Sequence, residues 1–188
     1  MADRLNVLVL CGSLRKASFN ASVARALPAL APPEMALTAA PSFAGFPLYN
    51  ADFQNASGIP ADVVALAEAI RAADGVVIVS PEYNWSIPGV VKNVIDWVSR
   101  VKDQPFAFKP VALQSASGSP VGGARMQYHM RQTLNSLEAL ILNRPEVLIS
   151  FANKKIDPAT LELTDQPTKD VIKAQLDAFA SFIRRVQD

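Results

Sequence analysis

Residues 75–80 read Gly-Val-Val-Ile-Val-Ser, and this run of β-branched apolar residues decides the fold. A short, continuously apolar run predicts a strand that is buried on both faces, as in the interior of a parallel sheet. Residues 5–11 and 110–116 carry similar runs on either side of it. The sequence therefore predicts a sheet covered by helices on both faces.

Strand and helix patterns alternate outward from this run. Strands are predicted at residues 5–11, 35–40, 75–80, 110–116 and 146–150, and helices at residues 21–30, 60–73, 88–101, 124–140 and 167–186. Residues 41–58 are rich in Pro, Gly, Asn and aromatics and predict an ordered loop. Such alternation favours parallel pairing through right-handed crossovers. The prediction is an α/β, three-layer αβα sandwich in which residues 1–188 form a single domain with a five-stranded parallel sheet.

Composition excludes several classes of function. Eighteen basic and 17 acidic residues give a formal net charge of +1, so bulk charge indicates neither a nucleic-acid nor a membrane partner. With one cysteine, Cys11, the chain cannot form an internal disulfide. With one histidine, His129, it cannot assemble a Cys/His zinc site, and no metal is predicted. The first residues resemble no secretory signal, and we expect a cytoplasmic protein.

The segment after the first predicted strand, residues 12–20, reads Gly-Ser-Leu-Arg-Lys-Ala-Ser-Phe-Asn and enters a helix. Backbone N–H groups at a helix start form an anion site. Ser13, Ser18 and Asn20 add neutral donors, and Arg15 and Lys16 add charge, so a phosphate monoester suits this segment. The alternative is a helix capped by Ser18 with exposed basic residues.

Two more strand ends have unusual sequences. Residues 80–89 hold two interior prolines, two aromatics and small polar residues, which predicts a rigid turn able to lie along a flat heterocycle. Residues 115–125 hold three glycines and three serines, which permits close backbone approach to a ligand. The alternatives are an ordered structural loop and a flexible connector. Because ligands of open α/β sheets bind at the carboxyl ends of strands, we expect all three segments to converge on one crevice.

These segments resemble the NADPH-dependent FMN reductases of flavodoxin-like fold, which include quinone, chromate and azo-dye reductases. Residues 12–20 are similar to that family's FMN-phosphate loop, and residues 81–97 to its flavin-ring loop and the following helix. Residues 115–125 are similar to its third signature. The resemblance covers about residues 5–150 and implies the strand order 2-1-3-4-5, with FMN at the switch between strands one and three.

The resemblance also implies which residues bind the cofactor. Ser13, Arg15, Ser18 and Asn20 are expected to hold the phosphate, Glu82, Tyr83 and Asn84 to line the isoalloxazine, and Ser115, Ser117 and Gly118 to close the other side. The full set of predicted FMN-binding residues is Gly12, Ser13, Arg15, Lys16, Ser18, Phe19, Asn20, Pro81, Glu82, Tyr83, Asn84, Ser86, Ser115, Ser117 and Gly118.

The implied function is an NAD(P)H-dependent, FMN-containing oxidoreductase that transfers two electrons to quinones, with azo compounds and chromate as further acceptors. Because the cofactor carries the chemistry, no catalytic side chain is predicted. The alternative is a flavodoxin-type FMN electron carrier without NAD(P)H turnover of its own. Arg100 and Arg125 are candidates for the NADPH phosphate, while Cys11 and His129 are expected in the core and on the surface.

The chain is also expected to form homodimers or homotetramers. Trp97 and the valines of the helix at residues 88–101 exceed what one buried face needs, which suggests an interface on that helix. The other expected partner is a small-molecule electron acceptor.

Overall fold

The computed structural model of the chain describes residues 4–187. The strands are β1 Leu5–Cys11, β2 Met35–Ala39, β3 Gly75–Val79, β4 Pro110–Ala116, β5 Leu140–Ile141 and β6 Val147–Ile149. The helices are α1 Phe19–Leu30, α2 Ala51–Ser57, α3 Ala61–Ala72, α4 Gly89–Val98, α5 Ala124–Asn135 and α6 Gln166–Gln187, with a 3-10 turn at Ala152–Lys154.

The sheet is parallel with the order β2-β1-β3-β4-β5, and β6 also pairs with β4. The predicted order is therefore confirmed, but its fifth position holds two short strands in place of one. Pro110 of β4 aligns with Leu140 of β5, and Gln114 aligns with Val147 of β6. Pro145 lies between these two strands and has no N–H for the ladder, which interrupts the pairing.

The strand β5 lies inside residues 124–140, which the sequence predicts as one helix. Helix α5 ends at Asn135 because Glu138 adopts a left-handed φ of 58°. The N–H of Ala139 donates to the carbonyl of Leu134 at 3.1 Å, as in a Schellman end. Glycine is the residue that usually adopts this conformation at a helix end. Because position 138 is a glutamate, the sequence does not indicate where the helix stops.

The helices cover both faces of the sheet, as predicted. Val76 and Ile78 of β3 face a core formed with α3, α4 and α5. Val77 and Val79 face the other core, formed with α1 and α6. Every residue of β3 is buried. This alternation explains why the run at residues 75–80 carries no polar face.

The predicted loop at residues 41–58 is only partly a loop, because it contains α2. Asn50 caps that helix by accepting from the N–H of Asp52 at 2.8 Å. Pro47 accepts from the Nε1 of Trp97 at 2.8 Å, so this segment covers the tryptophan. Trp97 has no exposed surface, so it does not contribute to the interface predicted on this helix.

Candidate functional site

Three loops lie side by side at the carboxyl edge of the sheet: the first loop at residues 12–18, the second at 80–88 and the third at 117–123. They follow β1, β3 and β4, which are neighbours in the sheet. The N–H of Gly12 donates to the carbonyl of Val79 at 2.8 Å, and that of Ser80 donates to Gln114 at 3.0 Å. The sequence-predicted segments therefore share one edge.

The first loop presents free backbone donors. In the described part of the chain, residues 4–187, none of the backbone N–H groups of residues 13–20 donates a hydrogen bond. The Oγ of Ser18 caps α1 by accepting from the N–H of Ala21 at 3.3 Å. No acidic residue lies in the first turn of α1, so the positive end of its dipole adds to these donors. This arrangement suits an anion with several acceptor oxygens.

The first loop also needs glycine at its start. A Cβ on Gly12 would lie 2.5 Å from the Oγ of Ser80 and 2.7 Å from a methyl carbon of Val91. Both distances are shorter than real Cβ contacts, so any side chain would push the loop away from β3 and α4. Gly12 thus sets how closely the first loop approaches the second.

The polar side chains of the first loop divide into two groups. Arg15 and Lys16 are exposed, and Arg15 donates one Nη2–H to the carbonyl of Ala17 at 2.8 Å. Asn20 is buried, donating to the carbonyl of Ala116 and accepting from its N–H, both at 2.9 Å. The Asn20 amide thus joins α1 to the end of β4. Ser13 and Phe19 are half-buried, and Phe19 packs on the α1/α6 core.

The second loop ends in a tight turn. Tyr83 and Ser86 exchange both backbone hydrogen bonds, at 3.1 and 3.0 Å. Asn84 and Trp85 between them have φ values of 48° and 67°, the signs of a type I′ turn. A bulky residue seldom adopts positive φ, so the turn holds Trp85 in a strained conformation. Its ring is 68% exposed and lies under the guanidinium of Arg125, 4.2 Å from the ring centre.

Glu82, predicted to line the isoalloxazine, directs its side chain to α5. Its carboxylate accepts from the backbone N–H groups of Arg125 at 3.0 Å and Met126 at 3.2 Å, and it pairs with the Arg125 guanidinium at 3.4 Å. It therefore caps α5, whose N-cap residue is Gly123 and has no side chain to do so. The missing Ser, Thr, Asp or Asn before this helix was the sequence signal that a cap must come from elsewhere. Pro81 beside it is buried.

His129 contacts the second loop, which the sequence did not predict. Its Nδ1 lies 2.9 Å from the Oγ of Ser86, and the imidazole is exposed. Arg100, a candidate for the NADPH phosphate, follows the far end of α4 and lies over the Tyr49 ring. A helix of 10 residues is about 15 Å long, so Arg100 lies away from the three loops.

Ser115, predicted to close the other side of the flavin, lies in β4 just before the third loop. Its side chain is fully buried, donates to the carbonyl of Gly122 at 2.7 Å and accepts from Gln127 Nε2 at 2.9 Å. Gly123, with a φ of 89°, approaches so closely that a Cβ there would lie 2.6 Å from the Ser115 Cβ. The hydroxyl therefore locks the third loop onto β4.

The tip of the third loop is more open. Gly118 is exposed and Ser117 is half-buried. The Oγ of Ser117 donates to the Oγ of Ser119 at 3.0 Å and accepts from the Ser119 N–H at 3.1 Å. A Cβ on Gly118 would meet only the Asn153 side chain, at 3.8 Å. Of the residues predicted around this loop, Ser117 and Gly118 therefore remain accessible.

Cys11 ends β1 directly below the first loop. Its thiol donates weakly to the carbonyl of Ser13 at 3.9 Å. Burial raises the pKa of the Cys11 thiol above its ordinary value, which keeps it neutral. Within residues 4–187, no three His, Cys, Asp or Glu side chains are grouped as metal ligands.

Comparison with known proteins bears on the same residues. Residues 5–154 match the family model described as NADPH-dependent FMN reductase. The chain belongs to this family. It is 54% identical over 187 residues to a quinone reductase of Escherichia coli strain K12, and the match covers 100% of both chains.

Two further relatives agree with this assignment. An NAD(P)H-dependent FMN reductase of Pseudomonas aeruginosa is 44% identical over 187 residues, again covering 100% of both chains. The solved structure of a flavoenzyme NAD(P)H:(acceptor) oxidoreductase from Paracoccus denitrificans superposes with a TM-score of 0.85 at 30% identity, covering 96% of this chain and 98% of that one. The predicted flavodoxin-like fold, enzyme class and cofactors, FMN and NAD(P)H, are confirmed.

The residues present fit FMN. Its phosphate needs several donors and no opposing carboxylate, and the unpaired N–H groups of residues 13–20 meet both needs together with Arg15 and Lys16. The second loop adds the backbone N–H groups of Glu82, Asn84 and Trp85, which donate to no atom within residues 4–187.

Within residues 4–187, no helix is both long and apolar enough to cross a membrane.

Proposed function

We propose that this FMN reductase passes electrons from NAD(P)H to quinones, with the three loops at the carboxyl edge of the sheet forming the flavin site. The observation that carries the proposal is the run of unpaired N–H groups at residues 13–20, beside the rigid second loop. The quinone reductases to which the chain is similar support quinones as acceptors. Azo compounds and chromate are further candidate acceptors.

The chain's own groups would bind and orient. The N–H groups of residues 13–20, with Arg15 and Lys16, would hold the FMN phosphate. The amide of Asn20 would keep the first loop against β4. The free N–H groups of the second loop would face the polar edge of the flavin, where donors favour negative charge on the ring. Bound FMN supplies the two-electron hydride chemistry.

Glu82 would act on the site through α5. Its carboxylate offsets the positive end of that helix and pairs with Arg125. It thereby fixes Arg125 over Trp85 at the rim. The exposed Trp85 and Tyr83 rings would then border the entrance used by a flat acceptor.

The test is an anaerobic titration of the FMN-loaded protein followed by absorbance. We expect NADPH to bleach the flavin band without a second protein and a benzoquinone to restore it. Comparing kcat/KM for NADPH and NADH would give the nucleotide preference. A flavin that neither nucleotide bleaches would indicate the electron carrier, and a chain that binds no FMN would overturn the site itself.

We propose further that the chain forms a homodimer, from which a homotetramer could be built. The proposal is supported by two exposed apolar side chains: Leu48, 83% exposed, and Phe53, 42% exposed, whose ring packs edge-on against Trp97 of α4. Sedimentation at micromolar concentration should give a dimer or tetramer, and the Leu48→Glu/Phe53→Glu variant a monomer. A clean wild-type monomer would remove the proposal.

We propose the cytoplasm as the compartment. A chain with one cysteine has no internal disulfide, which is typical of reducing compartments. Fractionation of cells that express the tagged chain tests it, and recovery outside the cytoplasmic fraction would contradict it.

A further inference from the structure

A groove of about 670 Å³ lies between α1 and α6, on the outer face of the sandwich. It runs from Ser22 to Leu30 along α1 and is closed on one side by residues 160–163. Its volume falls within the range of about 300–1,000 Å³ that is typical of small-molecule sites. It contains no residue of the three loops at the carboxyl edge of the sheet.

Positive charge dominates this groove. Arg25, Lys169 and Lys173 line it, and Glu162 is the acidic residue among the lining side chains. The ion pairs found in residues 4–187 include none of these three cations. Elsewhere on the surface, basic side chains such as Arg71 and Lys92 pair with an acid one helical turn away.

The two lysines occupy unfavourable positions in their own helix. Lys169 and Lys173 are four residues apart on α6, a spacing at which like charges repel. Two acids beside them at the start of α6 are engaged elsewhere, since Asp165 accepts from Thr168 at 2.6 Å and Asp170 from Gln166 at 2.7 Å. An anion in the groove would relieve the repulsion between the lysines.

The third cation is held in place from two sides. Arg25 donates Nη2–H groups to the Oγ of Ser22 at 3.0 Å and to the carbonyl of Leu161 at 3.4 Å. Leu161 has a left-handed φ of 58°, which turns its carbonyl toward α1. The turn before it is fixed by Asp157, whose Oδ1 accepts two backbone N–H groups at 2.8 Å. The remaining guanidinium N–H groups of Arg25 stay free for a ligand.

The rest of the lining sets the character of the ligand. Small and apolar side chains lie beside the cations: Ala26, Ala29, Leu30 and Leu163. A forked guanidinium and two ammonium groups match a phosphate group, and the apolar surface matches a small hydrocarbon body. We propose that this groove is a second binding site, which takes an organic phosphate with a small apolar body.

The test uses 1-naphthyl phosphate as the probe and the FMN-loaded protein, whose flavin absorbance is followed throughout. In a nitrogen-15 NMR titration, saturable shifts are expected in the amides of residues 22–30 and 160–173. The neutral probe 1-naphthol should bind at least tenfold more weakly, because it lacks the phosphate. Shifts confined to residues 12–20, or release of FMN by the probe, would overturn the proposal.

The Lys169→Gln/Lys173→Gln variant should bind the phosphate probe roughly tenfold or more weakly, since each charged contact contributes appreciably. The matched control is Lys102→Gln/Arg185→Gln, which removes the same charge from exposed positions outside the groove. Its affinity should equal that of the wild type, and Arg25→Gln should weaken binding as the lysine variant does. Equal affinities in the lysine variant and the control, or no saturable shift, would refute the site.

Discussion

The first and third loops look alike in sequence but differ in how they are fixed to the sheet. Both follow a buried strand, enter a helix and are rich in Gly and Ser. In the first loop, the N–H groups of residues 13–20 are left without acceptors in the described chain. The third loop is held to β4 and α5, because the buried Ser115 hydroxyl donates to the carbonyl of Gly122 and accepts from Gln127 Nε2. A small polar side chain at a strand end can therefore serve either a ligand or the packing of its own loop, and its burial distinguishes the two.

The starts of helices α1, α5 and α6 differ in how they are capped. The cap of α1 is the neutral Ser18, and no acid lies in its first turn. The cap of α5 comes from Glu82, and that of α6 from Asp165. A carboxylate at a helix start offsets the positive end of the dipole. The start of α1 retains this positive potential for a ligand, whereas those of α5 and α6 have already been offset.

The largest expected effect is a loss of stability when a side chain is added at Gly123, at the end of the third loop. An alanine there needs a φ of 89° and a Cβ 2.6 Å from that of Ser115. Gly123→Ala should lower the free energy of unfolding by about 2–4 kcal/mol through strain and overpacking. Urea unfolding of the apoprotein measures it. The control, Gly118→Ala, has room for its Cβ and should stay within about 0.5 kcal/mol of wild type.

The second-largest expected effect is on FMN binding and not on the free energy of unfolding. Arg15→Ala should weaken FMN binding by roughly 1.5–3 kcal/mol, the range for hydrogen bonds to charged groups. Its unfolding free energy should stay near that of wild type, because the side chain is exposed. Calorimetric titration with FMN tests this, with Arg185→Ala as the matched control. Unchanged FMN affinity in Arg15→Ala would move the phosphate site elsewhere.

Ser115→Ala should give the reverse result. Removing a buried hydroxyl leaves the carbonyl of Gly122 without a partner. It also removes one of the two acceptors of Gln127 Nε2, which keeps its hydrogen bond to the Val147 carbonyl. The expected loss is about 1–3 kcal/mol of unfolding free energy, with FMN affinity unchanged. Measuring the unfolding free energy and the FMN affinity on one preparation shows which of the two depends on the Ser115 hydroxyl. A variant of normal stability that binds FMN poorly would show that the Ser115 hydroxyl acts on the ligand and not on the packing of the third loop.

The smallest effect is a pH dependence at the start of α6. Hydrogen bonds from Thr168 hold the pKa of the Asp165 carboxyl below its ordinary value of 3.8. A depressed pKa adds stability that is present above the unfolded value and is lost as pH falls below it. Asp165→Asn should therefore flatten the loss of unfolding free energy below about pH 4. A slope identical to wild type in thermal unfolding from pH 5 to pH 2 would contradict this.

Local pattern was enough to predict most of the fold. Runs such as residues 75–80 have one stable environment, a sheet covered on both faces, and the observed order follows from their alternation with helices. The sequence pattern failed at the end of α5, because the left-handed position there is Glu138 and not the usual glycine. It also failed at α2, a short helix of 7 residues with no buried side chain and hence no periodic signal.

The candidate site also has a part that the sequence predicts and a part that it does not. The sequence by itself determined which segments reach the carboxyl edge of the sheet, because strand direction and loop position follow from chain order. Only the tertiary structure decided that Asn20 binds Ala116, that Ser115 is locked under Gly122 and that Glu82 caps α5. Each of these hydrogen bonds joins residues at least seven positions apart in the chain. A polar side chain takes whichever partner packing brings within about 3 Å, and residue type does not encode that choice.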